Sequence, residues 1–449
     1  MRLMIRARAM ANGVRSEHKL ILRDMTVIAG FILMAKIAAA AKEVVIASRF
    51  GTSPVVDAYL FVFNLYNLPI AVSYSVLTAV LIPLLIKLHS GPPSAEHRFR
   101  GEMLGGSILC GLGLGAAGWL SLKLLLTLSS VGLPPETRAF AIEAADYLAL
   151  MIPLGLVTVY GSVLLMARGR HVNSLLEGAP ALGVLVVLLV WGGTPQALLL
   201  GTMCGAAAHL LLTRLTLGGE FSHRPLFSFR SEQWRFFRSG VSIMLVAQLM
   251  FALTAVIDQF FAARLGAGAI STLGYAGRIL SLFLSLGATS IGRAVLPVYS
   301  RVRTHQPQSL ARLATQWTLL LFAAGLVVLV LGWFSAEWMV RLLFERGAFT
   351  AGDTAAVAEI LRWGFLQLPF YIAMIAASQA LFSASRYMLA AIMAAAGFAV
   401  KLVLNALLVD SFGLPGLMLA TAAMYALTCL VLLALLRIEA AREPDQQGA

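Results

Sequence analysis

The chain has 449 residues, of which 59% are apolar and only 12% charged, with a formal net charge of +13. A water-soluble domain carries roughly 25% charged residues, so this composition excludes a soluble enzyme or binding module. The basic excess does not read as a nucleic-acid footprint either. Lys and Arg sit mainly in alternate short loops, the positive-inside pattern of a membrane protein.

The apolar residues fall in blocks of about twenty, the length a helix needs to cross the hydrocarbon layer. In that layer each segment must satisfy its own backbone, so the fold class is an all-α integral membrane protein. The alternation of an outer-membrane barrel strand is absent. Residues 1–24 are basic and read as a cytoplasmic tail, not a cleaved signal peptide. About twelve spans follow, at 26–49, 56–86, 103–129, 144–167, 173–192, 195–217, 239–263, 268–299, 313–335, 355–384, 387–409 and 414–436. With the N-terminus inside, most basic residues face the cytoplasm, from Arg2 and Arg23 through Arg168, Arg235 and Arg301 to Arg437. Only Arg49, Arg138, Arg264, Arg341 and Arg346 face out. This places both termini in the cytoplasm, the bacterial inner membrane being the host.

The longest interior polar stretch, 218–238, is basic and aromatic, with Arg224, Phe227, Arg230, Trp234 and Arg235. It reads as an amphipathic linker helix lying on the anionic inner leaflet. On either side, 25–217 and 239–437 resemble one another; 438–449 is a second cytoplasmic tail. Met151-Ile152-Pro153 corresponds to Gln367-Leu368-Pro369, and Leu165–Arg170 aligns without gaps on Leu381–Arg386. A six-helix unit has therefore been duplicated. Six is even, so the two lobes share one orientation and are expected to be related by a pseudo-twofold along the membrane normal.

Ionisable groups in hydrocarbon cost at least about 2.5–3.5 kcal/mol on insertion scales and mark function or pairing. The first span carries Lys36, Lys42 and Glu43. Adjacent Lys42 and Glu43 point to different sides of the helix, so they are not expected to form a self-contained pair. Lys36 and Glu43 share a face. Asp57 opens the second span, Asp258 lies in the seventh, Arg278 in the eighth and Lys401 in the eleventh. Lys123, Glu177 and Arg293 read as paired or interfacial. Cations exceed carboxylates in this set, which suits an anionic substrate such as a phosphate or pyrophosphate headgroup; simple structural pairing is the other open reading. His209 reads as hydrogen-bonded core. Cys110, Cys204 and Cys429 read as small core residues outside any disulfide framework. No GxxxxGK[ST] loop, HExxH motif or Cys/His ligand spacing is present, so no cofactor is expected. The chain reads as a transporter, not an enzyme, with its coupling ion unassigned.

Lys36, Lys42-Glu43, Phe50-Gly51, Asp57-Ala58-Tyr59, Asn67-Leu68 and Pro83 resemble the opening of the MurJ/MviN lipid II flippases. In the second half, Tyr275-Ala276-Gly277-Arg278 is similar to that family's YADR, and Leu343-Phe344-Glu345-Arg346-Gly347-Ala348-Phe349 with Asp353-Thr354 to its LFxxGxF…DT segment. The resemblance covers about residues 25–437. It implies a member of the multidrug/oligosaccharidyl-lipid/polysaccharide exporter superfamily. Such a protein moves an undecaprenyl-pyrophosphate-linked saccharide to the outer leaflet by alternating access, in peptidoglycan synthesis or a related polysaccharide pathway. Lys36, Lys42 and Arg278 match the family's substrate-binding cations, and Asp57 its acidic residue at the start of the second helix. Glu43, Asp57 and Asp258 are expected to pair with those cations when the site is empty. The implied partners are the lipid-linked oligosaccharide, membrane lipids and glycan-synthesis proteins; nucleic acid is not among them. The sequence departs where two cavity arginines become lysines, where Ile70-Ala71 replaces an arginine pair, and in ending near twelve helices where the family usually has fourteen. An ion-coupled antiporter on this scaffold, which needs a carboxylate-rich cavity, and a non-transporting scaffold are the alternatives.

Overall fold

The computed structural model describes residues 30–89, 92–128, 131–221, 224–305, 309–383 and 386–442. Helices dominate, and no strand occurs among the described residues. In chain order they are α1 (30–50), α2 (Pro54–His89), α3 (Pro93–Thr127), α4 (Pro135–Leu148), α5 (Met151–Ala167), the short α6 (Asn173–Leu176), α7 (Ala179–Trp191) and α8 (Pro195–Leu217). The second half holds α9 (Gln233–Ala263), α10 (Ala269–His305), α11 (Leu310–Phe344), α12 (Ala351–Phe365), α13 (Gln367–Ser383), α14 (Tyr387–Phe412) and α15 (Leu414–Arg442).

Among the described residues, nine helices are long and apolar enough to cross a membrane, or ten if the pair α4 and α5, bent by 47° at its break, is one span. The all-helical membrane class stands, while the count of twelve is not reached by this measure. Outside the count lie α1, with Lys36, Lys42, Glu43 and Arg49, and α9, whose apolar stretch Ala252–Ala263 is short. α3 starts ten residues earlier than the apolar pattern suggests. At 1.5 Å per residue, the 35 residues of α3 and of α11 run roughly 50 Å, well beyond a hydrocarbon core of about 30 Å.

Large apolar side chains line the outside, as lipid requires. Val190, Trp191, Phe334 and Trp338 are exposed, whereas Thr158, Ser162, Thr202, Thr213, Thr318 and Thr421 are buried. Four of these, Thr158, Thr202, Thr318 and Thr421, return their hydroxyls to the carbonyl one turn back, as Thr202 does to Leu198 and Thr318 to Ala314. Cys429 is buried, but Cys110 and Cys204 are exposed. The reading of all three as core therefore fails for two. A span with apolar residues on every side gives no signal of which face meets lipid.

The chain forms two compact units. Among the described residues, one takes those up to Val45, those of Leu65–Leu124 and those of Glu143–Leu245; the other takes those of Ile46–Asn64, those of Leu125–Ile142 and those from Val246 onward. The first has a core around Phe99, Tyr160, Val163, Leu165 and Phe237. The second has one around Tyr299, Ala376, Ala377 and Leu436. The same device packs both. In the first, a Cβ added at Gly111 of α3 would lie 2.8 Å from Cα of Pro153 of α5. In the second, one at Gly325 of α11 would lie 2.5 Å from Cα of Pro369 of α13. Each glycine is where a helix rides directly on the first turn of its neighbour. At the far ends, Arg170 N donates to Leu165 O and Arg386 N to Leu381 O, at 2.9 and 3.0 Å. The aligned sequence segments thus fold alike.

Segment 224–232 is irregular, and α9 begins only at Gln233. The expected surface-lying linker helix is not formed there. A buried carboxylate explains why. Glu102 of α3, fully buried, accepts from Ser228 Oγ and Arg230 N on one oxygen, at 2.6 and 3.1 Å. Its other oxygen accepts from Ser231 N and Trp234 Nε1, at 3.1 and 2.7 Å. With Arg98 Nε at 3.3 Å, five donors converge on this one carboxylate, and the four from 228–234 hold the strip against α3. Trp234 and Phe237 then pack edge-on against Phe99.

Candidate transport site and outer clasp

On α1, Lys36 is exposed and makes no hydrogen bond or ion pair with any described residue. One and a half turns on, Lys42 Nζ lies 2.8 Å from Glu43 Oε1, both side chains 13% exposed. The two adjacent residues therefore do pair, contrary to the helical-wheel expectation. Their Cβ atoms diverge, but both side chains are long enough to bend back across the intervening arc. Arg278 is exposed on α10 in the other unit.

Asp57 is 1% exposed. It was expected beside a cation and instead receives main-chain amides. Gly268 N donates to Oδ2 at 2.5 Å and Ser271 N to Oδ1 at 2.7 Å. These are free N–H groups at the N-terminus of α10, where the helix dipole also favours an anion. Asp258 likewise lies elsewhere than expected. Lys401 Nζ donates to its Oδ2 at 2.7 Å and Asn405 Nδ2 to its Oδ1 at 2.9 Å. Neither contact could be read from sequence, because the partners are 211 or more and 143 or more residues apart.

The Asp57 contact belongs to a larger clasp within the second unit. Ala348 N donates to Ser48 O at 2.8 Å, and Tyr275 Oη to Gly51 O at 3.1 Å. Thr52 Oγ1 donates to Asp353. Asp353 also closes a capping box with Thr350 at the start of α12. The rings of Phe344 and Phe349 pack on Tyr275 at 5.0 and 5.4 Å. Gly51 and Gly347 both have positive φ, +57° and +63°. A Cβ at Gly51 would meet the Ala348 carbonyl oxygen at 2.6 Å, and one at Gly347 would collide with the Ser48 carbonyl. The glycines of Phe50-Gly51 and of Gly347-Ala348-Phe349 are thus required by two backbones in contact. Sequence reading noted these motifs without their joint role; glycine beside an aromatic at a span end was the only signal.

The other intramembrane charges find neighbours. Lys123 pairs with Asp146 at 2.8 Å, Glu177 accepts from Tyr74 at 2.7 Å, and Arg362 meets Glu337 at 3.2 Å. The Arg293 side chain lies outside the described set. His209 Nε2 is buried without a hydrogen-bond partner among the described residues, so the hydrogen-bonded reading of that nitrogen fails. No cluster of His, Cys, Asp and Glu suited to a metal occurs among the described residues.

Residues 46–446 match the family model described as lipid II flippase MurJ. The chain belongs to the lipid II flippase MurJ family. A probable lipid II flippase MurJ of Bdellovibrio bacteriovorus is 24% identical, over 95% of this chain and 84% of that protein. The lipid II flippase MurJ of Burkholderia cenocepacia is 23% identical, over 76% and 69%. A solved lipid II flippase MurJ in an inward closed conformation superposes with a TM-score of 0.77 at 18% identity, covering 93% of this chain and 90% of that one. An inward-facing multidrug resistance MATE transporter of the MOP superfamily superposes at 0.68 and 13% identity, covering 94% and 99%. These structures share the all-helical fold. Membership in the MurJ family makes the chain a multi-pass transporter of the bacterial inner membrane, not a catalyst of a chemical reaction.

Proposed function

We propose that this chain moves lipid II from the inner to the outer leaflet by alternating access. Family membership over 46–446 supports this reading. The observation that carries it beyond membership is the state of the charges. Glu43, Asp57 and Asp258 are already engaged, by Lys42, by the start of α10 and by Lys401. Lys36 is exposed without a counter-charge among the described residues. A cationic drug would need unengaged carboxylates, so the antiporter alternative has little to bind with. A pyrophosphate would instead meet ammonium groups, each able to donate charge-assisted hydrogen bonds.

In this reading Lys36, Lys42 and Arg278 receive the pyrophosphate, and Lys42 exchanges Glu43 for it. The isoprenoid tail stays in the bilayer, since removing it costs about 0.8 kcal/mol per CH₂. Both termini are cytoplasmic, which puts the clasp of Ser48, Gly51, Thr52 and Asp57 at the outer face. Release outside then requires the clasp to open, and its hydrogen bonds break together.

The test is headgroup translocation in liposomes holding only this chain. Fluorescent lipid II is one substrate, and an undecaprenyl-pyrophosphate exopolysaccharide intermediate is the other. Flipping of lipid II, slowed more than tenfold by Lys36→Ala, Lys42→Ala and Arg278→Ala, is the expected result. Flipping of the second substrate alone would move the assignment to another lipid-linked saccharide. Movement of a cationic dye with neither lipid flipping would overturn it.

A further inference from the structure

We propose that Glu177 is the residue by which this transporter selects a saccharide-loaded lipid pyrophosphate over the bare lipid pyrophosphate, with Tyr74 and Asn173 holding it in position. The proposal rests on the reading of the chain as a flippase for lipid-linked saccharides, and it names the part of the headgroup that Glu177 reads.

All the residues concerned belong to the first unit. Glu177 stands between the short α6 and α7, and it is exposed. Tyr74 of α2 donates its hydroxyl to Glu177 Oε1 at 2.7 Å, and Asn173 Nδ2 donates to the same oxygen at 3.2 Å. Asn173 is buried and Tyr74 half-buried, so the two donors are fixed by their surroundings. Both grip one oxygen, and an ionised carboxylate has acceptor capacity on the other.

The next residue brings this carboxylate to a cation of the transport site. Gly178 lies against α1, where an added Cβ would be 3.1 Å from Cα of Ala35. Lys36 follows Ala35 and is exposed. Opposite charges thus stand on the two sides of one backbone contact, yet Glu177 is engaged by Tyr74 and Asn173 and not by Lys36. With Pro54 at the outer face, α2 runs roughly 30 Å from there to Tyr74 at 1.5 Å per residue, about the thickness of the hydrocarbon core. The cluster therefore lies at the inner headgroup layer, where a lipid-linked headgroup is first met.

An ionised group at the edge of the hydrocarbon is costly. A neutral amide would accept from Tyr74 as well and tie α2 to α6 without that cost, so the charge itself needs a reason. A carboxylate only accepts. The oxygens of an ionised pyrophosphate also only accept, and their charge repels Glu177. Sugar hydroxyls and amide N–H groups donate, and a charged acceptor makes the stronger hydrogen bond with them. Lys36 and Glu177 together present a cation for the phosphates and, beside it, an acceptor for the sugar attached to them. A bare lipid pyrophosphate satisfies only the first and meets the second as a like charge.

The test is lipid binding to the full chain in nanodiscs, titrated with lipid II and separately with bare undecaprenyl pyrophosphate. The unmodified chain is expected to bind lipid II more tightly. Glu177→Gln keeps an oxygen for Tyr74 and Asn173 but turns the other one into a donor. It should weaken lipid II at least about tenfold, the loss of one hydrogen bond to a charged group. Undecaprenyl pyrophosphate should bind this variant as tightly as before or more so, since a like charge has gone; that retained affinity also shows the variant to be folded. Lys36→Ala should weaken both lipids. Tyr74→Phe keeps the ring and lets the carboxylate turn, so it should lose part of the preference for lipid II and none of the affinity for the bare lipid. A preference for lipid II undiminished in Glu177→Gln, or both lipids weakened alike, overturns the proposal and leaves the flippase reading standing. Binding of neither lipid by the unmodified chain sinks the flippase reading and the proposal with it.

Discussion

Asp57 accepts from two main-chain N–H groups and Glu102 from two main-chain and three side-chain donors, whereas Asp258 is held by two side chains. The same residue chemistry is therefore held by five donors at one place and by two at each of the others. Backbone donors come with the fold, while Lys401 and Asn405 can turn about their own torsions. Number and origin of the donors, more than burial of the acid, set the three apart.

The comparison breaks most readily at Glu102. Gln at this position keeps one accepting oxygen and points an NH₂ at the two donors of the other, so two of the five bonds go. At about 1–3 kcal/mol for each buried donor left unsatisfied, Glu102→Gln should lose about 2–6 kcal/mol. Thermal unfolding in detergent micelles, followed by size-exclusion chromatography, would register it as a large drop in midpoint. An unmoved midpoint would mean that the linker is held by its aromatic packing on Phe99 alone. Asp57→Asn tests the milder clamp. One of two amide bonds is lost, about 1–3 kcal/mol, and protease accessibility at the start of α10 should rise with it. If Asp57→Asn is silent while Glu102→Gln is not, donor number and not donor type decides.

How much of this was legible follows the distance between partners. The apolar blocks and the aligned prolines revealed the helical class and its duplication, because both signals repeat locally. Gly111 and Gly325, facing Pro153 and Pro369, are that duplication in atomic form. Gly325→Ala should cost about 1–3 kcal/mol through overpacking. Gly113, whose added Cβ would meet nothing within 4 Å, should accept Ala with no loss; equal effects at the two glycines would refute the packing account. The charges were legible only as charges. Lys36, Lys42, Asp57, Asp258 and Arg278 stand out by their rarity in apolar runs, but no periodicity links Asp258 to Lys401 or Asp57 to Ser271. Glu102 escaped notice altogether. It follows Glu96, Arg98 and Arg100 and looks like the last charge of a loop, while all its donors but Arg98 come from a strip more than a hundred residues away.

The smallest effect is expected where a carboxylate faces a lysine in the open. Lys123 and Asp146 form a pair as short as that of Lys401 and Asp258, 2.8 against 2.7 Å, but their side chains are 35% and 46% exposed instead of 3% and 13%. Solvent and headgroups can serve both charges once separated, and exposed pairs contribute about 0.2–1 kcal/mol. Trp119 Nε1 also donates to Asp146 at 2.7 Å, so the acid keeps one partner when Lys123 is removed. Lys123→Met should therefore shift the unfolding midpoint marginally and leave headgroup transfer unchanged. Lys401→Met, which removes a lysine from a pair of nearly equal length, leaves a buried carboxylate without its counter-charge and should lower the midpoint well beyond that. The two substitutions share chemistry and distance, so a common outcome would show that pairing alone, and not enclosure, sets the effect.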